Sequence, residues 1–370
     1  MNGISGSSIS NYCEYICFND GYLLQDKGIM SLTIKTLDNT HEKAWDDLVF
    51  SSSNGTIFHT IQWLKIVQEQ SEAEFLPLMF YKGTNLVAIY PVFIQKQGVI
   101  KVALSPPSRS YMLYLGPVIM DYESLKQEKK ESTFIKIQQQ MDDYIFQIKG
   151  CKYARIRSSP GLYDSRPLRW AGYTINPYYT YRIDLTLGID HVWERFDKNL
   201  RNDINKAVRE GVTVRTGDVE DLIFIHDSLF RRYIEQGIKP VNYKKLLLEL
   251  YNKFYPDNMK IFVAEYQGQR IGGTINLCFK NIMYLWVGIP KSGLVGISPN
   301  DLIQWEAIKW AQANGLEYYE LMDAGDEPRL RHFKSKYNPD LVIWYSAVKY
   351  SSSLYKAGEK LFNLIRKRGI

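Results

Sequence analysis

The chain has 370 residues, 45% of them apolar and 14% aromatic, and its 46 basic against 40 acidic side chains leave a net charge of +6. That length exceeds one ordinary hydrophobic core and suits two domains, and the apolar and aromatic content excludes a disordered chain. The basic excess is compatible with a phosphate-bearing ligand but too small to specify one.

Residues 1–29 show neither periodicity nor caps, so an extended, poorly ordered tail or a misplaced start is expected there. Within the tail, Cys13 and Cys17 lack a second pair of cysteines or histidines at zinc-site spacing. With Cys151 and Cys278 they are too few and too irregular for a disulfide framework. A reducing, cytoplasmic setting follows as the expectation. No apolar run reaches the roughly 18 residues that cross a bilayer, and no signal-peptide layout opens the chain.

Two stretches share one grammar. Residues 75–94 read as a hairpin turning at Lys82-Gly83, and residues 260–279 as a second hairpin turning at Gln267-Gly268. Each leads to a further strand, "YMLYLGPVI" (111–119) and "IMYLWVGI" (282–289). Each then continues into a helix stopped by glycine, ending at Gly150 and at Gly315. The last strands are "CKYARIRSS" (151–159) and "LEYYELMD" (316–323). This predicts an α/β (α+β) fold of two duplicated domains, each a mixed, mostly antiparallel sheet flanked by helices. The expected domains are 30–165 and 178–350, with a Pro-, Gly- and Ser-rich linker around 158–177 and a basic amphipathic helix over 351–370.

Residues 191–215 carry the clearest helical period, with Trp193, Phe196, Leu200, Ile204, Ala207 and Val208 on one face and Gly211 as the stop. Lys198, Arg201, Asn205 and Arg209 line the opposite side. An arginine fork there can grip phosphate, or the stripe can be a solvated face; periodicity leaves both open. Further on, "RLRHFKSKYNP" (329–339) crowds Arg329, Arg331, Lys334 and Lys336 around Phe333 and Tyr337. It reads as a solvated loop, a nucleic-acid patch, or an active-site loop with one working lysine. Serine-hydrolase, zincin and P-loop motifs are all missing, and the five histidines show no ligand spacing, so no metal and no cofactor are expected.

Taken together, "NGTIFHTIQWLKIV" (54–67), "NLRNDINKAVREGV" (199–212), the 260–279 hairpin and "LRHFKSKY" (330–337) resemble the Fem-type (FemABX) peptidoglycan-bridge aminoacyltransferases and their wider Fem-like relatives. The resemblance covers roughly residues 32–350 and implies two tandem GNAT-like domains. It implies acyl transfer from aminoacyl-tRNA to an amine of a nucleotide-sugar or lipid-linked peptide precursor of the cell envelope. By the same resemblance Lys334, with Phe333 beside it, stabilises the oxyanion. Arg201 binds phosphate of the nucleotide-sugar substrate, and Lys65 has a similar task. Asn205, Arg331 and Tyr337 join the substrate-binding candidates, and Asp323, at a strand end, is the candidate general base. The family's F-K motif is usually followed by Phe-Gly where this chain has Tyr337-Asn338, and no coiled-coil arm is present.

Two other readings stay open. One is acyl-CoA-dependent transfer to a small amine, although "IPKSGLVGISPNDLI" (289–303) does not match the usual pyrophosphate-binding spacing. The other is a non-catalytic RNA- or phosphosugar-binding scaffold. The segment 354–370, with an apolar face flanked by lysines and arginines, is a candidate for peripheral contact with an anionic membrane.

Overall fold

The two predicted turns close two long hairpins, and each hairpin seeds one half of a single sheet. The computed structural model describes residues 32–288 and 296–353, the strand segments 16–18 and 21–23, and Tyr355. In chain order the first elements are β1 (Ile16–Phe18), β2 (Gly21–Leu23), β3 (Thr33–Thr36), α1 (Glu42–Ser51), α2 (Ile61–Ser71), β4 (Glu74–Lys82) and β5 (Asn85–Gln97). There follow β6 (Ile100–Ser105), β7 (Val118–Ile119), α3 (Gln127–Asp142), β8 (Tyr153–Arg157), α4 (Arg166–Trp170), β9 (Thr174–Asp184), α5 (Ile189–Arg195) and α6 (Lys198–Arg209). The rest are β10 (Thr213–Thr216), α7 (Val219–Glu235), α8 (Lys244–Phe254), β11 (Met259–Tyr266), β12 (Gln269–Phe279) and β13 (Ile282–Gly288). The chain closes with α9 (Pro299–Ala313), β14 (Tyr318–Met322), α10 (Pro328–Ser335) and β15 (Asp340–Tyr350).

The described strands form one 15-stranded sheet in the order β1-β2-β3-β4-β5-β6-β8-β15-β9-β14-β13-β12-β11-β10, with β7 paired to β5. The duplication is visible in the pairing. The hairpin β4–β5 leads to β6, and α3 crosses over to β8, which lies parallel to β6. The hairpin β11–β12 likewise leads to β13, and α9 crosses over to the parallel β14. Each crossover is the connection that a parallel pair requires. The halves are sewn together by β15, which pairs with β8 on one side and with β9 from Asp340 to Val348 on the other.

Helices cover both faces. On one face α3 packs over the first half, around Phe134, Ile137 and Met141, and α6 and α9 pack over the second, around Leu200, Ile204, Ile303 and Ile308. On the other face α1, α2, α7 and α8 share one core across both halves, from Trp45 and Trp63 to Leu247, Leu250 and Trp344. Lys280 adds a polar tie, donating to the carbonyls of Ser52 (2.5 Å) and Gly55 (3.0 Å).

Three predicted elements are corrected. Residues 111–119 do not supply the third strand of the first half; β6 does, and only Val118–Ile119 is strand. Tyr111 and Gly116 have positive φ (57° and 82°), which breaks an extended run. The 191–215 helix is two helices: Phe196 is extended, and Asp197 restarts the helix by accepting from the Asn199 N–H at 2.7 Å. The 329–339 loop contains a helix, α10, with Pro328 in its first turn. Of the expected tail, 16–18 and 21–23 form a short hairpin beside β3. The predicted 351–370 helix lies outside the described residues except for 351–353 and 355.

Candidate acyl-transfer site

Lys334 sits on the inner side of α10 and is 7% exposed. Its Nζ donates to the backbone carbonyls of Met322 (3.2 Å) and Asp323 (2.8 Å). Met322 ends β14 with φ at 60°, a left-handed conformation that costs a side-chain-bearing residue about 1–2 kcal/mol. The ammonium therefore holds a strained strand end. Burial lowers its pKa to about 8, with Asp323 and Glu320 opposing the shift.

Two residues before Met322, Glu320 is fully buried. It accepts from Tyr114 Oη (2.8 Å), Thr180 Oγ1 (3.1 Å) and the Arg182 guanidinium (3.2 and 2.7 Å). Its desolvation is thus offset by a full set of donors, as a buried carboxylate requires. Tyr114 comes from the first half, Thr180 and Arg182 from β9, and Glu320 from β14. Both the Tyr114 and Tyr284 hydroxyls are raised, chiefly by burial and then by the Glu320 charge. The strands part here: β13 and β14 pair only as far as Tyr284 opposite Glu320, and β14 shifts register against β9 before Met322. A buried cation and a fixed carboxylate thus stand where two parallel strands separate.

Around this centre the predicted residues fall into three groups. Phe333 and Tyr337 pack edge to face at 5.6 Å, and Lys336 Nζ lies 5.1 Å from the Phe333 ring centroid. Tyr337 is buried, and its hydroxyl donates to Asp301 Oδ1 (3.2 Å), which Lys336 also meets at 2.7 Å; its polar end faces α9. Asp323 accepts from the Gly325 N–H at 2.7 Å through Oδ1. Arg331 is exposed, with no side-chain partner among the described residues.

The second group is Arg201 and Asn205 on α6. The first residue of that helix's cap, Asp197, donates its N–H to the Lys336 carbonyl at 2.9 Å, so α6 starts against the end of α10. Arg201, half-buried, and Asn205, exposed, follow one and two turns along, without side-chain partners among the described residues. Lys65 stands apart: it pairs with Glu42 at 2.6 Å on the α1–α2 side and touches none of the groups around Lys334.

Sequence reasoning missed Glu320, Arg182, Thr180 and Tyr114. A usable signal existed for two of them. Glu320 is the single charge of β14, and Arg182 lies between Tyr181 and Ile183 in the aromatic-rich β9; an ion at such a position needs a partner. Nothing local points to Tyr114.

Residues 194–335 match the family model described as acetyltransferase (GNAT) domain. No curated protein matches the chain. The fold is that of two tandem GNAT-like halves, and the match assigns a GNAT domain to the second. In fold the chain is similar to FemX (TM-score 0.64, 11% identity, 84% of this chain and 96% of that one). It is also similar to the C-terminal domain of a putative lysylphosphatidylglycerol synthetase from Agrobacterium fabrum (0.53, 14%, 88% and 97%). A tandem GNAT protein from the clavulanic acid biosynthesis pathway compares at 0.55, 9%, 87% and 99%.

Proposed function

We propose that the chain is a cytoplasmic aminoacyltransferase that moves an aminoacyl group from aminoacyl-tRNA to an amine of a peptidoglycan-type precursor. The observation that carries this reading is Lys334: an ammonium held at 7% exposure, with two N–H groups fixed on carbonyls and the third unassigned. In the proposed step the amine nitrogen attacks the ester carbonyl and a C–N bond forms. Lys334 stabilises the resulting oxyanion, which a buried cation does far better than a solvated one. The C–O bond then breaks, the ribose hydroxyl leaves, and the proton lost by the amine is passed to it. Asp323, whose Oδ2 has no donor among the described residues, is the proposed carrier of that proton. Phe333 packs the face of α10 that sets Lys334, and Tyr337 anchors α10 to α9. Arg201 and Asn205, with Arg331, are proposed to hold the anionic substrate; Lys65, engaged by Glu42, is left out.

The acyl-CoA reading is favoured by one finding, the acetyltransferase description of the 194–335 match. Against it, the first turn of α9 carries the buried carboxylate of Asp301, committed to Lys336 and Tyr337, and a pyrophosphate at that helix start would meet its negative charge. No helix among the described residues is long and apolar enough to cross a membrane. The proposal is tested by supplying charged tRNA or acetyl-CoA with an acceptor peptide amine to wild type and Lys334→Ala. Amide formation from charged tRNA alone, slowed about 100- to 1,000-fold by the substitution, is the expected result; formation from acetyl-CoA alone overturns the donor assignment.

A further inference from the structure

Register places a second constellation on the sheet face that carries Glu320. Along β9, Asn176, Tyr178, Thr180 and Arg182 alternate onto that face, since Arg182 pairs with Glu320. Opposite them on β15 stand Ser346, Trp344, Val342 and Asp340. On the next strand Arg157 pairs with Ser346 and Arg155 with Val348, so both arginines belong to the same face.

Tyr178 and Trp344 stack at 4.6 Å with an interplanar angle of 18°. Trp344 is buried, and Tyr178 remains 40% exposed, so one ring face is spent and the other is open. Beside this platform the donors lack acceptors. Arg157 is half-buried and has neither a hydrogen bond nor an ion pair among the described residues. Among the described residues Arg155 reaches only Ser108 Oγ at 3.5 Å, and its Nε is buried without a partner. Trp344 Nε1 is likewise buried and unpaired among the described residues. Burial and then the neighbouring Arg155 weaken the hold of Arg157 on its proton, while Tyr178, Tyr153 and Asp323 oppose them. Register thus sets Arg157 one row from the Trp344–Tyr178 platform, on the face that also carries Glu320.

A half-buried guanidinium with no carboxylate in hydrogen-bond contact is costly, and unpaired buried donors call for a partner. A phosphate supplies the missing charge and acceptors, and arginine's planar fork suits it. An open tyrosine face supported from behind by tryptophan suits a nucleobase. We infer that Tyr178, Arg157 and Arg155 form a nucleotide-binding platform, stacking one unpaired base and gripping its phosphate, at the seam made by β8, β15 and β9. The inference deepens the proposed function and rests on it: it says where a nucleotide-bearing substrate is held relative to Lys334. Two sources share this chemistry, an unpaired RNA end and a nucleotide diphosphate.

The experiment measures binding of a labelled single-stranded RNA trinucleotide and, separately, of uridine diphosphate to the full chain. Wild type is compared with Arg157→Gln, Tyr178→Leu and Tyr178→Phe, at two salt concentrations, with circular dichroism to confirm folding. Stacking predicts that Tyr178→Leu weakens binding about 5- to 100-fold and that Tyr178→Phe restores it. Arg157→Gln should weaken binding and lower the steepness of its salt dependence by about one phosphate contact. Preference for the trinucleotide assigns the platform to an RNA end, and preference for uridine diphosphate assigns it to a nucleotide-linked substrate. Equal affinity across all variants, or no binding of either probe to wild type, overturns the inference. Its fate is separable from that of the aminoacyltransferase reading. Binding with these signatures but no transfer to any amine leaves the platform standing and removes the enzyme reading. Transfer with an unchanged KM in Tyr178→Leu and Arg157→Gln does the reverse.

Discussion

Lys334 and Lys280 are the same chemical group in nearly the same predicament. Each is buried enough to bring its pKa to about 8, and each donates to two backbone carbonyls. Their surroundings differ. Lys280 reaches from the second half to Ser52 and Gly55 in the first, and burial alone accounts for its shift. Lys334 reaches back within its own half to a strained strand end, with Glu320 and Asp323 opposing its shift. A perturbed pKa by itself therefore does not mark a working lysine. What separates the two is the company of carboxylates, the parted strands and the polar network.

The largest effect that bears on this comparison is on stability. Glu320→Ala leaves the half-buried Arg182 without its carboxylate and should cost about 3–5 kcal/mol in urea unfolding. Next comes Lys334→Ala, expected to lower the rate of acyl transfer by about 100- to 1,000-fold while the fold persists. Lys280→Met gives the counterpart: about 1–3 kcal/mol of stability is lost because two buried carbonyls lose their donor, with the transfer rate unchanged. A large loss of transfer in Lys280→Met would erase the distinction.

The smallest effect is in pH dependence of stability. Both lysines have folded pKa values near 8 against an ordinary 10.5, so between those values the unfolded chain binds more protons. Stability should therefore rise with pH across that window as the cost of burying each charge is relieved. Unfolding midpoints at pH 7.5 and 9.5 measure this rise, and Lys280→Met should reduce it by removing one of the two contributors.

Much of this arrangement could be read from residues alone, because it is local. The hairpin turns at Lys82-Gly83 and Gln267-Gly268, the glycine stops and the two crossover helices each carry their own signal in a short window. Lys334 was picked out by its motif. The misreadings are also instructive. Residues 111–119 are as apolar as a strand, but positive φ at Tyr111 and Gly116 sends them across the seam, where Tyr114 meets Glu320 some 206 positions away. That contact, and the insertion of β15 between β8 and β9, depend on long-range pairing that no window of sequence contains. Lys334 was expected on a loop; Glu327 and Pro328 start a helix there instead, and the helix is what turns Lys334 inward.

The central claim is that Lys334 acts as a buried cation, and the pH–rate profile of transfer for wild type and Lys334→Arg tests it most directly. With a pKa near 8, the wild-type rate should fall as pH rises through that value and the ammonium loses its charge. Arginine keeps its charge, so whatever activity Lys334→Arg retains should lack that descending limb. An identical limb in both proteins, or undiminished transfer in Lys334→Ala, would contradict the account.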